Sequence, residues 1–424
     1  MTATAQQEEQ GPEANQKTYP FKRIGLIFGV VACLYFMLQF QNISDVAMKF
    51  NNRPVIVYTS TAFHQEVASA LCCTLHGLGY QVFSLIGPKT DLANAKAFYG
   101  HCVHFWALVG QESEYDIPDP ALVVFTTYPL TVNHQPDQHA SHLVANILKN
   151  GYSTKFAGVM HHATILEKHP LPSFIPADRF TALYLGEHTL NASSEDGSHN
   201  SLYFYPIPPT RILPKHIRHA APLSSSYPST ASRSPTIVVQ GHFGGQHSWR
   251  RDPHSLLTCL RDYQERHNTT GAAVHFIGKG TLEFSKQESR SLRIHHSSNL
   301  KSAKSFYGEV SKGHFLALTQ LDEEYYSYRA TSSVPAAIMT GLPLIVDSAL
   351  LSLYPCLRES HYHQLVSKPS FCDSVAAALS LKPEERSRMG EEVLLCRNKF
   401  LNDSHVKFRN LISGVSAPKE PSPI

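Results

Sequence analysis

The sequence predicts an α/β protein: two parallel-sheet domains that face a shared cleft, preceded by one apolar helix near the amino terminus. Three observations predict it. At 424 residues the chain is longer than one ordinary core accommodates. Continuous apolar runs alternate with helical periodicity on both sides of a Ser-, Pro- and Ala-rich stretch. Ile24 to Phe40, IGLIFGVVACLYFMLQF, carries no charge at all.

The apolar segment comes first. At 1.5 Å per residue it makes a helix of about 26 Å, close to the roughly 27 Å hydrocarbon thickness of a thin bilayer. Lys22 and Arg23 precede it directly, whereas Asp45 and Lys49 cancel after it. The positive-inside rule therefore leaves residues 1–23 as a cytosolic tail and puts the body in the lumen. A cleaved signal peptide is the alternative, but QNISDVAM offers no small-x-small cleavage site. Sequons at Asn42, Asn191, Asn268 and Asn402 agree with a lumenal body. The expected setting is a single-pass type II protein of the Golgi or endoplasmic reticulum membrane. Cys33 lies in the anchor, which leaves seven cysteines for the lumen and at least one unpaired thiol. No C-x-x-C pair occurs, which argues against structural zinc.

A stalk, 41–53, leads to PVIVYTS at Pro54 to Ser60, an apolar run of the kind buried on both faces of a sheet. Val67, Ala70, Leu71, Thr74, Leu75 and Leu78 then recur at helical spacing, Gly77 and Gly79 stop that helix, and Gln81 to Ile86 is the next strand. Leu122 to Thr126, Phe156 to Met160 and Thr181 to Leu185 are further strands, with a helix over His142 to Lys149 between them. Together they make a Rossmann-like domain over 54–215. HIRHAAPLSSSYPSTASRSPT, 216–236, has no apolar periodicity and is expected to be a linker.

The pattern restarts in a second Rossmann-like domain over 237–415. Its elements are strand Thr236 to Gln240, helix Pro253 to His267, strands Val274 to Ile277 and Phe315 to Thr319, helix Val334 to Thr340 and strand Pro343 to Asp347. A last amphipathic helix over Pro383 to Leu401 places Met389, Val393, Cys396 and Phe400 on one stripe. The tail 416–424 is expected to be disordered.

Composition excludes some function classes. A formal charge of +3, with no Lys/Arg run longer than two, falls far short of the basic surface that nucleic acid requires. With 42 % hydrophobic and 17 % charged residues, the chain is neither disordered nor a multi-span membrane protein.

Ligands of two facing α/β domains bind at the carboxyl ends of their strands. In the second domain the first such loop is GHFGGQHSWRRD, Gly241 to Asp252, which offers backbone freedom and the guanidinium groups of Arg250 and Arg251. Asp252 and Pro253 form an N-cap and N1 pair, so the arginines lie at the mouth of a helix, a setting suited to phosphate. A later loop, QLDEEYYSYRATSS, enters the helix SVPAAIMTG. Ser332 or Ser333 can cap that helix, with its other N–H groups toward the cleft, Gly341 makes the left-handed exit and Pro343 prevents continuation. In the first domain His161 and His162 follow FAGVM and emerge at a strand end, where an imidazole can serve acceptor, sugar or departing phosphate. His101, His104 and His242 have no partner spacing that singles them out.

The succession VVQGHF, RRD, HFIGKG and LDEEYYSYRATSSVPAAIMTGLPLIVD resembles the donor-binding half of GT-B glycosyltransferases of the retaining, glycosyltransferase-family-4-like group. The resemblance covers Thr236 to Asp347, and the first domain only through its general pattern. It implies that Arg250 and Arg251 meet the diphosphate, that Gly278 to Gly280, with Lys279, form the Gly-containing turn after the next strand, and that the helix before G-x-P meets the phosphates, with Gly241 of the first loop also on the donor side. Many members carry two glutamates, eight positions apart; counted back from Gly341, Ala336 and Tyr328 stand there. A Ser-Ser variant found in some eukaryotic branches matches Tyr325, Tyr326, Arg329, Ser332 and Ser333.

The function implied is transfer of a sugar from a nucleotide-sugar donor to a glycan, protein or lipid acceptor, with His161, His162 and Asp322 as catalytic-side residues. Asp322, Glu323 and Glu324 are the carboxylates nearest the donor loop. No D-x-D triplet occurs, and a helix start with Arg250, Arg251 and Arg329 balances a diphosphate, so neither metal nor cofactor is expected. A catalytically inactive, lectin-like or scaffold protein of the same fold is the alternative. A nicotinamide enzyme fits poorly, because GKG lacks the third glycine of the dinucleotide fingerprint.

Overall fold

The molecule is described here from a computed structural model. It describes residues 53–60, 65–88, 90–109, 119–128, 131–132, 135–193, 200–213, 235–243, 252–269, 272–285, 288, 292–298, 300, 302–319 and 323–414. The expected anchor Ile24 to Phe40, the linker and the tail, and with them Arg250, Arg251 and Asp322, lie outside the described residues. Among the described residues no helix is long and apolar enough to cross a membrane.

The first lobe is a seven-stranded parallel sheet: β1 (Val55–Thr59), β2 (Val82–Ile86), β3 (Phe105–Leu108), β4 (Leu122–Phe125), β5 (Lys155–Met160), β6 (Phe180–Tyr184) and β7 (Asn200–Tyr203). Spatial order is β3-β2-β1-β4-β5-β6-β7, every neighbour parallel. The order reverses between β1 and β4, and a crevice opens beyond the carboxyl ends of the strands at such a switch point. β1 and β4 are buried at every position, which is why they appear in the sequence as unbroken apolar runs. Helix α1 (Gln65–Gly77) buries Val67, Ala70, Leu71, Thr74 and Leu75, and helix α2 (Leu92–Tyr99) buries Ala95, Phe98 and Tyr99. Helix α3 (Gln138–Lys149) is capped by Asp137, whose carboxylate accepts from the His139 and Ala140 N–H groups.

The second lobe repeats the plan with β8 (Thr236–Phe243), β9 (Ala273–Gly280), β10 (Arg293–Ser298), β11 (Phe315–Ala317) and β12 (Leu344–Ile345) in the order β10-β9-β8-β11-β12, again all parallel. Its core unites Ile237, Val239, Leu256, Leu260, Val274, Phe276, Phe315 and Ile345. β8 and β9 run longer than their apolar cores. Gly241, Gly278 and Lys279, expected in loops and turns, therefore lie within paired strands, with Gly241 opposite Gly278 and Phe243 opposite Gly280. A Cβ on Gly278 would meet the Gly241 carbonyl oxygen at 1.7 Å, and one on Gly280, whose φ is 95°, the Phe243 oxygen at 1.5 Å. Both glycines exist for close backbone approach between strands.

The last helix of the chain (Pro383–Ser413) is 31 residues long, or about 46 Å, and passes the expected end at Leu401. Its first half packs on the second lobe, where Cys396 is bridged to Cys356. Its second half reaches the first lobe: Phe408 meets Phe204 edge to face at 5.6 Å, and the Lys155 ammonium donates to the Leu411 carbonyl at 2.6 Å. Two further disulfides, Cys73–Cys102 and Cys259–Cys372, sit one in each lobe. The seventh cysteine, Cys72, is buried and unbridged, and burial pushes its thiol well above the usual range.

Candidate functional site

The loops that follow the strands of the two lobes touch. β5 ends at Met160, and His161 and His162 are the next residues, as the apolar run FAGVM predicts. The His161 Nε2–H donates to the Thr126 carbonyl beyond β4 at 3.0 Å, which puts the proton on Nε2 and makes Nδ1 the acceptor nitrogen. The His162 Nδ1 accepts from the Thr164 N–H at 3.2 Å, which turns Nε2–H outward. That nitrogen faces Glu324 Oε1 of the second lobe at 3.9 Å, and the imidazole stacks on the Tyr328 ring, 5.8 Å between centroids and 12° from parallel. A backbone bond from the Ala163 N–H to the Tyr328 carbonyl, 2.9 Å, joins the same two loops.

The segment of the second lobe that receives these contacts is a single turn of 3₁₀ helix, Glu323–Tyr326. The Glu324 carbonyl accepts from the N–H groups of Ser327, Tyr328 and Arg329, so three side chains are held at one corner. The Arg329 guanidinium lies 3.4 Å from Glu324 Oε2 and over the Tyr325 ring at 5.6 Å. Both charged groups are partly exposed, which keeps the pair's contribution to stability below about 1 kcal/mol. Tyr326 has a different task. Its hydroxyl donates to Asp347 Oδ2 at 2.5 Å while Asp347 Oδ1 accepts from the Leu350 N–H, so the turn is pinned to the end of β12, and burial followed by the carboxylate pushes its phenol well up.

Ser332 stands at the N-cap of the helix Ser333–Thr340 with no side-chain cap bond, and Thr331 Oγ1 accepts from the Ser333 N–H instead. The cap is therefore Thr331, one residue earlier than the serine pair suggests. The exit is as expected, with Gly341 left-handed at φ 73°.

The sequence pattern missed several residues here. His188 follows β6 by the same strand-end rule that singles out His161, but it is 8 % exposed and turns inward. Its Nε2–H donates to the Arg329 carbonyl at 3.3 Å, a second bond between the lobes, and burial lowers its pKa. Gln240, within β8, and Thr319, just beyond β11, are 6 % and 4 % exposed. Gln240 Oε1, Thr319 Oγ1, His188 Nδ1 and Thr127 Oγ1 are all buried and have no hydrogen-bond partner among the described residues. A buried polar group left unbonded costs about 1–3 kcal/mol, so each of the four is a candidate contact for a polar ligand.

Lys279 is exposed at the end of β9, beside Gly278, and Gly241 is half-buried. The site thus brings together His161, His162, Glu324, Tyr325 and Arg329, and adds Tyr328 and His188. Gly241, Gly278 and Lys279 form a second group at the ends of β8 and β9. Among the described residues one set of possible metal ligands converges, Cys73, His101 and Cys102, and its two sulfurs are joined to each other in a disulfide.

No family model and no curated protein matches the sequence. The fold has counterparts among solved structures. Anabaena HepE in complex with UDP-glucose superimposes with a TM-score of 0.52 at 10 % identity, over 85 % of this chain and 100 % of that one. HepE in complex with UDP gives 0.52 at 8 %, over 86 % and 100 %. A trehalose-6-phosphate synthase, OtsA, gives 0.52 at 8 %, over 86 % and 99 %. At such identities the likeness is one of fold: this chain has the two-lobed GT-B architecture, with its loops of interest at the strand ends where the lobes meet.

Proposed function

We propose that the chain is a glycosyltransferase that takes a hexose from a nucleotide-sugar donor and passes it to a glycan, glycoprotein or glycolipid acceptor. The observation that carries the reading is the pair Gln240 Oε1 and Thr319 Oγ1, buried and without a hydrogen-bond partner among the described residues, on β8 and just beyond β11, the strands that flank the switch point. That is the place where open parallel sheets take a nucleotide. The fold likeness to HepE in complex with UDP-glucose supports the same donor class. Arg250, Arg251, Arg329, Lys279 and the Ser333 helix start are assigned to the diphosphate, and His161 to the sugar and departing phosphate. Retention of configuration and a metal-free site are part of the proposal, the latter because basic groups replace a D-x-D triplet.

Three disulfides and solvent-exposed sequons at Asn191, Asn268 and Asn402 support a lumenal body behind the anchor Ile24 to Phe40. The test is a screen of the full chain in detergent against a panel of nucleotide sugars, in excess chelator. Release of nucleoside diphosphate from one donor is expected with chelator present. Thr319→Val sharpens it: removal of an unbonded hydroxyl should stabilise the nucleotide-free protein by about 1 kcal/mol while weakening nucleotide binding. Absence of binding to any nucleotide sugar, with Thr319→Val neutral in both respects, would sink the reading.

A further inference from the structure

The family-like motif lacks its first glutamate, and Tyr328 stands in that position. The structure brings a different carboxylate to the same corner. Glu324 lies between the two lobes, with Oε1 turned to His162 Nε2 of the first lobe at 3.9 Å and Oε2 to the Arg329 guanidinium at 3.4 Å. Its backbone carbonyl closes the turn that carries Tyr328 and Arg329, so the carboxylate is fixed relative to both. Tyr328 itself is 42 % exposed, unusual for a large aromatic ring, and the ring is backed by His162. A carboxylate acceptor beside an exposed aromatic face is the chemistry that suits a pyranose, whose hydroxyls donate and whose C–H face packs on rings.

We propose that Glu324, rather than Asp322, is the carboxylate that accepts hydrogen bonds from hydroxyls of the transferred sugar, with the Tyr328 ring as the wall of the same subsite. The proposal rests on the glycosyltransferase reading. Arg329 and His162 hold the carboxylate aimed, and Tyr328 supplies the apolar contact that a glutamate at that position could not. Arg329 is shared: its guanidinium is assigned to the diphosphate and also holds Glu324, and Glu324→Gln leaves that guanidinium in place.

The test uses the full chain, with calorimetry of UDP and turnover of whichever nucleotide sugar the wild type accepts. Glu324→Gln keeps the shape and the backbone carbonyl, so the turn is retained. The expected result is UDP affinity within about twofold of wild type and turnover reduced about tenfold, the difference between a charged and a neutral acceptor. Glu324→Ala should lower turnover about a hundredfold, and Tyr328→Ala should raise the KM of the nucleotide sugar without changing UDP binding. If Glu324→Gln unfolds, Glu324→Asp carries the same comparison. Unchanged turnover in both variants overturns the assignment. So does an equal loss of UDP and sugar-nucleotide binding, which would mean that the carboxylate acts only by holding Arg329. A wild type that turns over no nucleotide sugar removes the functional reading and this assignment with it, whereas an active wild type with an equally active variant removes this assignment alone.

Discussion

His363 shows how a single buried group sets a pH limit. It has no exposed surface, its Nε2 accepts from the Leu344 N–H at 3.3 Å, and its Nδ1–H donates to Ser360 Oγ, which in turn donates to Glu392. With both ring nitrogens used in the neutral form, burial pushes its pKa down to about 3. Unfolding restores a value near 6.5, so between pH 6.5 and 3 the unfolded chain binds a proton that the native one refuses. Stability is therefore full above pH 6.5 and declines as pH falls, by about 2 kcal/mol at pH 5. Urea midpoints at pH 7 and pH 5 check this. His363→Gln should be less stable at pH 7 and lose less on acidification, and an equal acid loss in variant and wild type would rule out His363 as its source. His161 was legible from sequence because an apolar strand announces it. Glu324 was legible only as one of three neighbouring carboxylates and His188 not at all, since each makes its contact with a residue more than a hundred positions away.

Elements differ in legibility for the same physical reason. β1, β4 and β5 are buried on both faces and appear as unbroken apolar runs, whereas β10, RIHHSS, is a partly exposed edge strand with no run to notice. The sequence pattern ended β8 at Gln240 and β9 at Ile277, because pairing beyond them involves glycines and polar residues that look like loop. This pairing has a sharp consequence. Gly280→Ala would set a Cβ 1.5 Å from the Phe243 oxygen at a φ that side chains rarely adopt, so the last pair of the ladder has to open. The expected cost is about 3 kcal/mol, together with weaker nucleotide binding at the adjacent loops. Thermal unfolding with and without UDP would read both. A variant as stable as wild type would show that the ends of β8 and β9 are not paired as described.

At the scale of the molecule the two lobes are held by more than their facing loops. The terminal helix is fastened in the second lobe through Cys356–Cys396 and lies across to the first, where Phe408 is fully buried against Phe204, Ser404 and Ile412 are buried, and Lys155 bonds the Leu411 carbonyl. The far half of one helix thus supplies part of the first lobe's packing, and the first lobe should not reach full stability without it. The His188 bond to Arg329 and the Ala163 bond to Tyr328 lie elsewhere, at the strand ends, and Phe98 of the first lobe meets Tyr307 of the second at 6.0 Å, so the helix is one attachment among several. Phe408→Ala removes a large ring from the helix attachment and leaves the others intact. The loss should be about 3–5 kcal/mol, as for other buried phenylalanines, and should fall on the first lobe. Calorimetry is expected to give one cooperative transition for the wild type and, for Phe408→Ala, an earlier transition for the first lobe separated from that of the second. A uniform downward shift with a single transition would mean that the facing loops and the Phe98–Tyr307 contact keep the lobes coupled without the helix.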